Sequence, residues 1–201
     1  MEYTYAFIIF TEAIKLFALM TPAAVLSAFL SASKDYDDAR KKAIARKMSI
    51  AVFIIGVLLF FLGDRIFSMF GFTLDAFRIG SGILLFLSAV SLMDETSQKS
   101  SFSPDEDISV VPLAIPLCMG PASIAMVMVL GASATDTAGM VIGALALLLA
   151  SIGIYVILHF SEAMKNLLGK TGMSVLSKLT GLLLSAIAAQ VVFTGVRSFL
   201  K

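Results

Sequence analysis

Two motifs set 99 residues apart carry the residues best suited to chemistry: Thr21-Pro22-Ala23-Ala24 and Gly120-Pro121-Ala122-Ser123. A proline has no N–H to give a continuing helix, and its ring disturbs the carbonyl four residues back, here Ala18 for Pro22. The residue before it is pushed away from helical angles. Thr21 then suits an N-cap and Pro22 the first helical position, and Gly120 with Pro121 repeats the arrangement. Both motifs read as helices that stop and restart. The amides of Ala23, Ala24 and Val25, and of Ala122, Ser123 and Ile124, would point out of the restarted ends. Free N–H groups and the helix dipole make such ends attract anions, a carboxylate among them. One motif alone reads as a proline kink repaired by its neighbours; a symmetric pair favours a ligand site.

Other chemistries find little support. Cys118 is the single cysteine and His159 the single histidine, so neither a disulfide within the chain nor a zinc site is expected. No acidic pair, Ser/His dyad or metal cluster stands at membrane depth, so the expectation is a non-enzyme without a cofactor. The alternatives are an intramembrane enzyme of undefined substrate or a non-transporting membrane protein. A net charge of +1, without a basic stripe, points away from nucleic acid.

The elements that must hold these motifs are dictated by composition. Apolar residues make up 59% of the chain and charged ones 14%, with a mean hydropathy of +0.97; a soluble domain carries about 25% charged residues. Six apolar runs alternate with short charged segments: Ala6 to Ser31, Met48 to Phe67, Leu74 to Met93, Ile108 to Leu130, Ala138 to Phe160 and Val175 to Phe199. A spanning helix needs about 20 apolar residues, and each run meets or approaches that. Backbone groups in lipid must be satisfied internally, so the runs are read as helices. The expected fold is all-α and polytopic, with helices one and four broken at Pro22 and Pro121. Met1-Glu2-Tyr3 lacks the positive start of a cleaved signal, so the first run is expected to stay in the mature protein.

Six spans place both termini on one side. Lys15, Arg65, Arg78, Arg197 and Lys201 belong to that side; the other ten basic residues, including Lys34, Arg40, Lys41, Lys42, Arg46 and Lys47, belong to the opposite one. The bias predicts both termini outside the cytoplasm. The first loop, Lys34 to Lys47, reads as a short solvated helix in which Asp37 with Lys41 and Asp38 with Lys42 are four apart. Asp94 to Asp107 reads as a polar linker.

A shift of 99 also lays the chain on itself. Thr21-Pro22 falls on Gly120-Pro121, and Ser81-Gly82-Ile83-Leu84-Leu85 on Thr180-Gly181-Leu182-Leu183-Leu184. The chain is then one transmembrane domain of two repeats, 1–93 and 108–201, joined by a linker at 94–107. Three spans per repeat make the second copy enter from the opposite face. Many secondary transporters are inverted repeats of this kind, with the substrate at the repeat interface near mid-membrane.

On these residues the chain resembles the MarC family, whose relatives include small neutral amino-acid transporters. Val111-Pro112-Leu113-Ala114-Ile115-Pro116, then Gly120-Pro121 and Ile124, carry the most specific likeness. Phe70-Gly71, Arg78 to Leu84, and Gly169 to Gly195 with Gly181, Leu183 and Gln190, extend it. The resemblance implies six helices, a plasma (inner) membrane location and, for some members, proton-coupled movement of glycine and alanine. The family pattern usually reads Asn-Pro with glycine two residues on; here stand Thr21-Pro22 and Ala24, with Ala122 after the second proline and Lys178 where Arg is frequent.

The combined expectation is a secondary transporter. A small neutral amino acid would bind at Thr21, Pro22, Ala23, Ala24, Gly120, Pro121, Ala122 and Ser123, its ammonium facing carbonyls such as those of Ala18 and Leu117. Glu12 and Lys15, three apart, are read as an interfacial pair, and Arg78, His159 and Glu162 as anchors at span ends.

Overall fold

The computed structural model describes residues 2–71, 73–93 and 118–200. Seven helices follow one another among the described residues: α1 (Glu2–Leu19), α2 (Pro22–Ala32), α3 (Asp38–Phe70), α4 (Leu74–Met93), α5 (Pro121–Ser133), α6 (Thr137–His159) and α7 (Ser161–Phe199). Four stretches are long and apolar enough to cross a bilayer: Asp38–Gly63, Leu74–Ser91, Thr137–His159 and Ser174–Phe199. Tyr5–Leu19 and Pro22–Leu30, bent by 48° at Thr21, make a fifth when taken together. The expected span from Ile108 to Leu130 is described only from Cys118 onward. There α5 is a shorter apolar helix, Ser123–Ser133 by its apolar extent. The linker 94–107, the stretch Val111 to Pro116 and the carbonyl of Leu117 lie outside the described residues.

Local chemistry sets the helix ends. Asp37 accepts from the Arg40 amide at 3.2 Å and caps α3, so the polar turns from Asp38 to Lys47 run without a break into the apolar ones. The expected short loop helix is therefore the first three turns of α3. Lys41 is not held by Asp37, four residues back; its ammonium reaches Glu162 on α7 at 2.8 Å. Gly71, at φ 69, closes α3 in a conformation that costs glycine nothing. Asp136 caps α6 by accepting from the Gly139 amide at 3.0 Å. Only the kink at Gly169, φ 58, interrupts α7.

Helices pack where glycine lets backbones touch. A methyl group at Gly131 of α5 would fall on the Phe60 carbonyl of α3, and one at Gly63 would lie 2.9 Å from the Met128 carbonyl. In the same way α4 lies on α7, with Gly82 facing Val192 and the Ala188 carbonyl. Between the helices lies a packed core of Met20, Val25, Phe29, Met48, Met119 and Leu147, all at or below 1% exposure. The outer faces are apolar too, with Ile54, Leu58, Phe86, Leu182 and Phe193 about half exposed or more. A core sheathed in apolar side chains is what lipid as solvent requires.

Candidate functional site

The break between α1 and α2 has a different local structure from the one expected. Thr21 is left-handed, φ 46 and ψ 58, and its side chain caps nothing. Side-chain capping needs extended angles at that position. Here the Thr21 amide donates to the Ala18 carbonyl at 3.0 Å, after Met20 has donated to Leu16, and this last turn rolls Thr21 into the left-handed region. Thr21 thus terminates α1, and its carbonyl receives the Val25 amide at 3.1 Å to begin α2. The Ala18 carbonyl is satisfied within the turn. For a β-branched residue these angles are an outlier, costing roughly 1–2 kcal/mol. Strain of that kind gathers at functional sites.

Asparagine tolerates left-handed angles better than threonine. Thr21→Asn is expected to raise stability by about 1 kcal/mol, or roughly 2–4 °C in a chain of this size. Thermal unfolding in detergent checks it; an unchanged or lower melting temperature would mean that Thr21 is not strained.

The start of α5 is relaxed. Gly120 is extended at φ −71 and ψ 171, and its carbonyl receives the Ile124 amide at 3.0 Å. Pro121 and Ala122 open α5, and no side-chain cap is present at Gly120 either.

The end of α1 and the start of α5 are joined. Ser123, 5% exposed, donates its hydroxyl to the Leu19 carbonyl at 2.7 Å across 104 residues of chain. Leu19 ends α1, so its carbonyl has no partner within that helix. The structure therefore brings Ser123 against the residues just before Thr21, with Pro22 and Ala23 buried and Ala24 half-buried close behind. Met20, Cys118 and Met119 seal the region at 0–1% exposure. Met20 and Met119 are themselves related by the shift of 99, a correspondence that adds to the proline pair. In α2 the first intrahelical bond is made by Val25, and in α5 by Ile124. The amides of Ala23 and Ala24, and of Ala122 and Ser123, precede those bonds and have no acceptor in their own helices.

Several charged groups are tied in pairs. Lys15 pairs with Glu12 at 2.7 Å on α1. Arg78 does more than anchor a span end: it binds Asp75 at 2.8 Å and the Ser133 hydroxyl at 2.9 Å, while Ser198 donates to Asp75 at 2.9 Å. This node ties α4 to the C-terminal end of α5 and to α7. The spacing of Asp75 and Arg78, three apart, allows their pair, whereas the contacts to Ser133 and Ser198 come only from packing. Elsewhere, Glu162 takes Lys41 at 2.8 Å and Lys165 at 3.7 Å. The hydrogen bond from Lys41 holds the Glu162 carboxyl below the usual carboxylate range, against a smaller desolvation effect. Among the described residues no group of three or more His, Cys, Asp or Glu side chains could hold a metal ion.

Comparison with known proteins agrees with the architecture. Residues 6–200 match the model of the MarC family of integral membrane proteins. The UPF0056 membrane protein of Aquifex aeolicus is 34% identical over 203 residues, covering 96% of this chain and 95% of its own. The UPF0056 inner membrane protein YhgN of Escherichia coli is 34% identical, covering 96% of this chain and 98% of its own. The UPF0056 membrane protein YvbG of Bacillus subtilis is also 34% identical, over 92% of each chain. No solved structure matches. A family match over almost the whole chain, and relatives this similar along their full length, make this protein a member of the MarC family of integral membrane proteins.

Proposed function

We propose that this protein is a secondary transporter of small neutral amino acids, glycine and alanine first, and not an enzyme. The observation that carries the reading is the 2.7 Å hydrogen bond from Ser123 to the Leu19 carbonyl, which holds two helix restarts against each other inside a packed core. The substrate carboxylate would take the amides of Ala23 and Ala24, or of Ala122 and Ser123, with the helix dipoles aiding it. Its ammonium group would use the second lone pair of carbonyls such as that of Leu19, because each carbonyl can accept twice. Buried Ala23 and half-buried Ala24 put methyl groups beside the proposed site, which favours glycine and alanine over larger side chains.

The inverted repeat belongs to the same reading. A shift of 99 carries Pro22, where α2 begins, onto Pro121, where α5 begins, and Asp38, where α3 begins, onto Thr137, where α6 begins. It carries Phe70, the end of α3, onto Gly169, the kink in α7. Repeats of this design hold substrate at their shared interface. Thermal unfolding of the purified protein with a panel of amino acids is the test. Glycine and alanine should raise the melting temperature, while leucine and ethylamine should not. A flat response across the panel would remove the binding site from the account.

A further inference from the structure

We propose that the pocket between the start of α3 and the α6–α7 junction binds a phosphate-bearing anion, supplied by a lipid headgroup or as free phosphate. The reading is independent of the transport site. The pocket has a volume of about 220 Å³, and Asp38, Lys41, Lys42, His159, Ser161 and Glu162 line it. A water occupies about 30 Å³ of liquid, so the space suits a group of headgroup size.

His159 is the first sign of an occupant. Its Nδ1 atom is buried and has no hydrogen-bond partner. Buried polar atoms are nearly always paired, so an orphan needs an explanation. The ring is packed between Tyr155 and Phe160, with centroids 5.2 and 5.0 Å away. His159 also lines the pocket, so a small rotation of its ring would bring a nitrogen to a group held there.

The remaining inventory decides the sign of the ligand. Two carboxylates line the pocket, but both are answered. Glu162 has Lys41 on one oxygen and Lys165 near the other. Asp38 stands in the first turn of α3, where the helix dipole and the nearby Lys41 ammonium offset its charge. Lys42 has no ion pair among the described residues, and Lys41 has two N–H bonds beyond the one given to Glu162. The unsatisfied capacity therefore consists of lysine donors and one imidazole nitrogen. Phosphate, with several acceptor oxygens and a full charge, matches that set. Phe160, 56% exposed beside the pocket, gives an apolar wall against which a lipid glycerol could rest.

Binding to the full chain in neutral detergent tests the site with two probes, phosphatidylglycerol by native mass spectrometry and inorganic phosphate by thermal shift. Lys42→Ala and His159→Gln should each weaken binding about fivefold, the worth of one basic contact at a phosphate. Lys15→Ala, on α1 and outside the pocket, should leave it unchanged. Binding of both probes with that pattern assigns the site to the phosphate group itself. A response to phosphatidylglycerol alone assigns it to a lipid headgroup, and a response to inorganic phosphate alone to free phosphate. Equal binding by the parent, Lys42→Ala and His159→Gln, or no binding of either probe, overturns the proposal.

Discussion

Ser123→Ala is expected to cost roughly 1–3 kcal/mol of stability, the penalty of leaving a buried carbonyl without its partner. The carbonyl is that of Leu19, and the 2.7 Å bond from Ser123 is what joins α5 to the end of α1. The effect on ligand should be larger than the effect on folding suggests, because both restarted helices owe their relative position to this contact. A loss of 1.4 kcal/mol is already tenfold in affinity, so glycine binding should fall by about that much or more. Ser123→Thr keeps the hydroxyl and should retain most of the binding if the added methyl is accommodated. Chemical unfolding and glycine titration on the same preparations separate the two effects. An alanine variant as stable as the parent, with parental glycine affinity, would show that the bond joins nothing of consequence.

Gly131→Ala should be strongly destabilising, because an added methyl there makes the tightest clash among the described glycines. The added carbon would meet the Phe60 carbonyl, a backbone atom that no rotamer change can move aside. Helices α3 and α5 would have to part, and overpacking of this kind costs about 1–3 kcal/mol, occasionally more. Because α5 carries Ser123 at one end and Ser133, the partner of Arg78, at the other, its displacement should disturb both contacts. Gly80→Ala is the control: nothing lies within 4 Å of the position a methyl would take there. Thermal unfolding of the two variants should separate them by several degrees. Equal melting temperatures would mean that the α3–α5 contact is soft.

Much of the fold was legible because lipid writes plainly into sequence. The run from Leu74 to Met93 is α4 as it stands, and Ala138 to Phe160 is α6 displaced by one residue. Apolar runs end where the bilayer ends, whereas helices end where caps and glycines stop them. For that reason α3 starts at Asp38, ten residues before the apolar run at Met48, and α7 starts at Ser161 rather than Val175. Two proline motifs correctly marked the places where α2 and α5 begin. The conformation of Thr21 was not legible, because a pre-proline preference for extended angles yields to the hydrogen bond closing the last turn of α1. Nor were the long-range polar contacts. Lys41 has Asp37 four residues away and pairs instead with Glu162, 121 residues on. Ser123 was read for its backbone amide, and only the packing of α5 against α1 reveals the acceptor of its hydroxyl.

Uptake of labelled glycine into vesicles containing the purified protein tests the central claim most directly. Vesicles with the parent should accumulate or exchange glycine faster than empty ones, excess unlabelled alanine should compete, and ethylamine, which lacks the carboxylate, should not. Ser123→Ala should lower the rate by about tenfold, in step with its binding. Parent vesicles that take up neither glycine nor alanine faster than empty ones, under an imposed pH gradient of either polarity, would contradict the account.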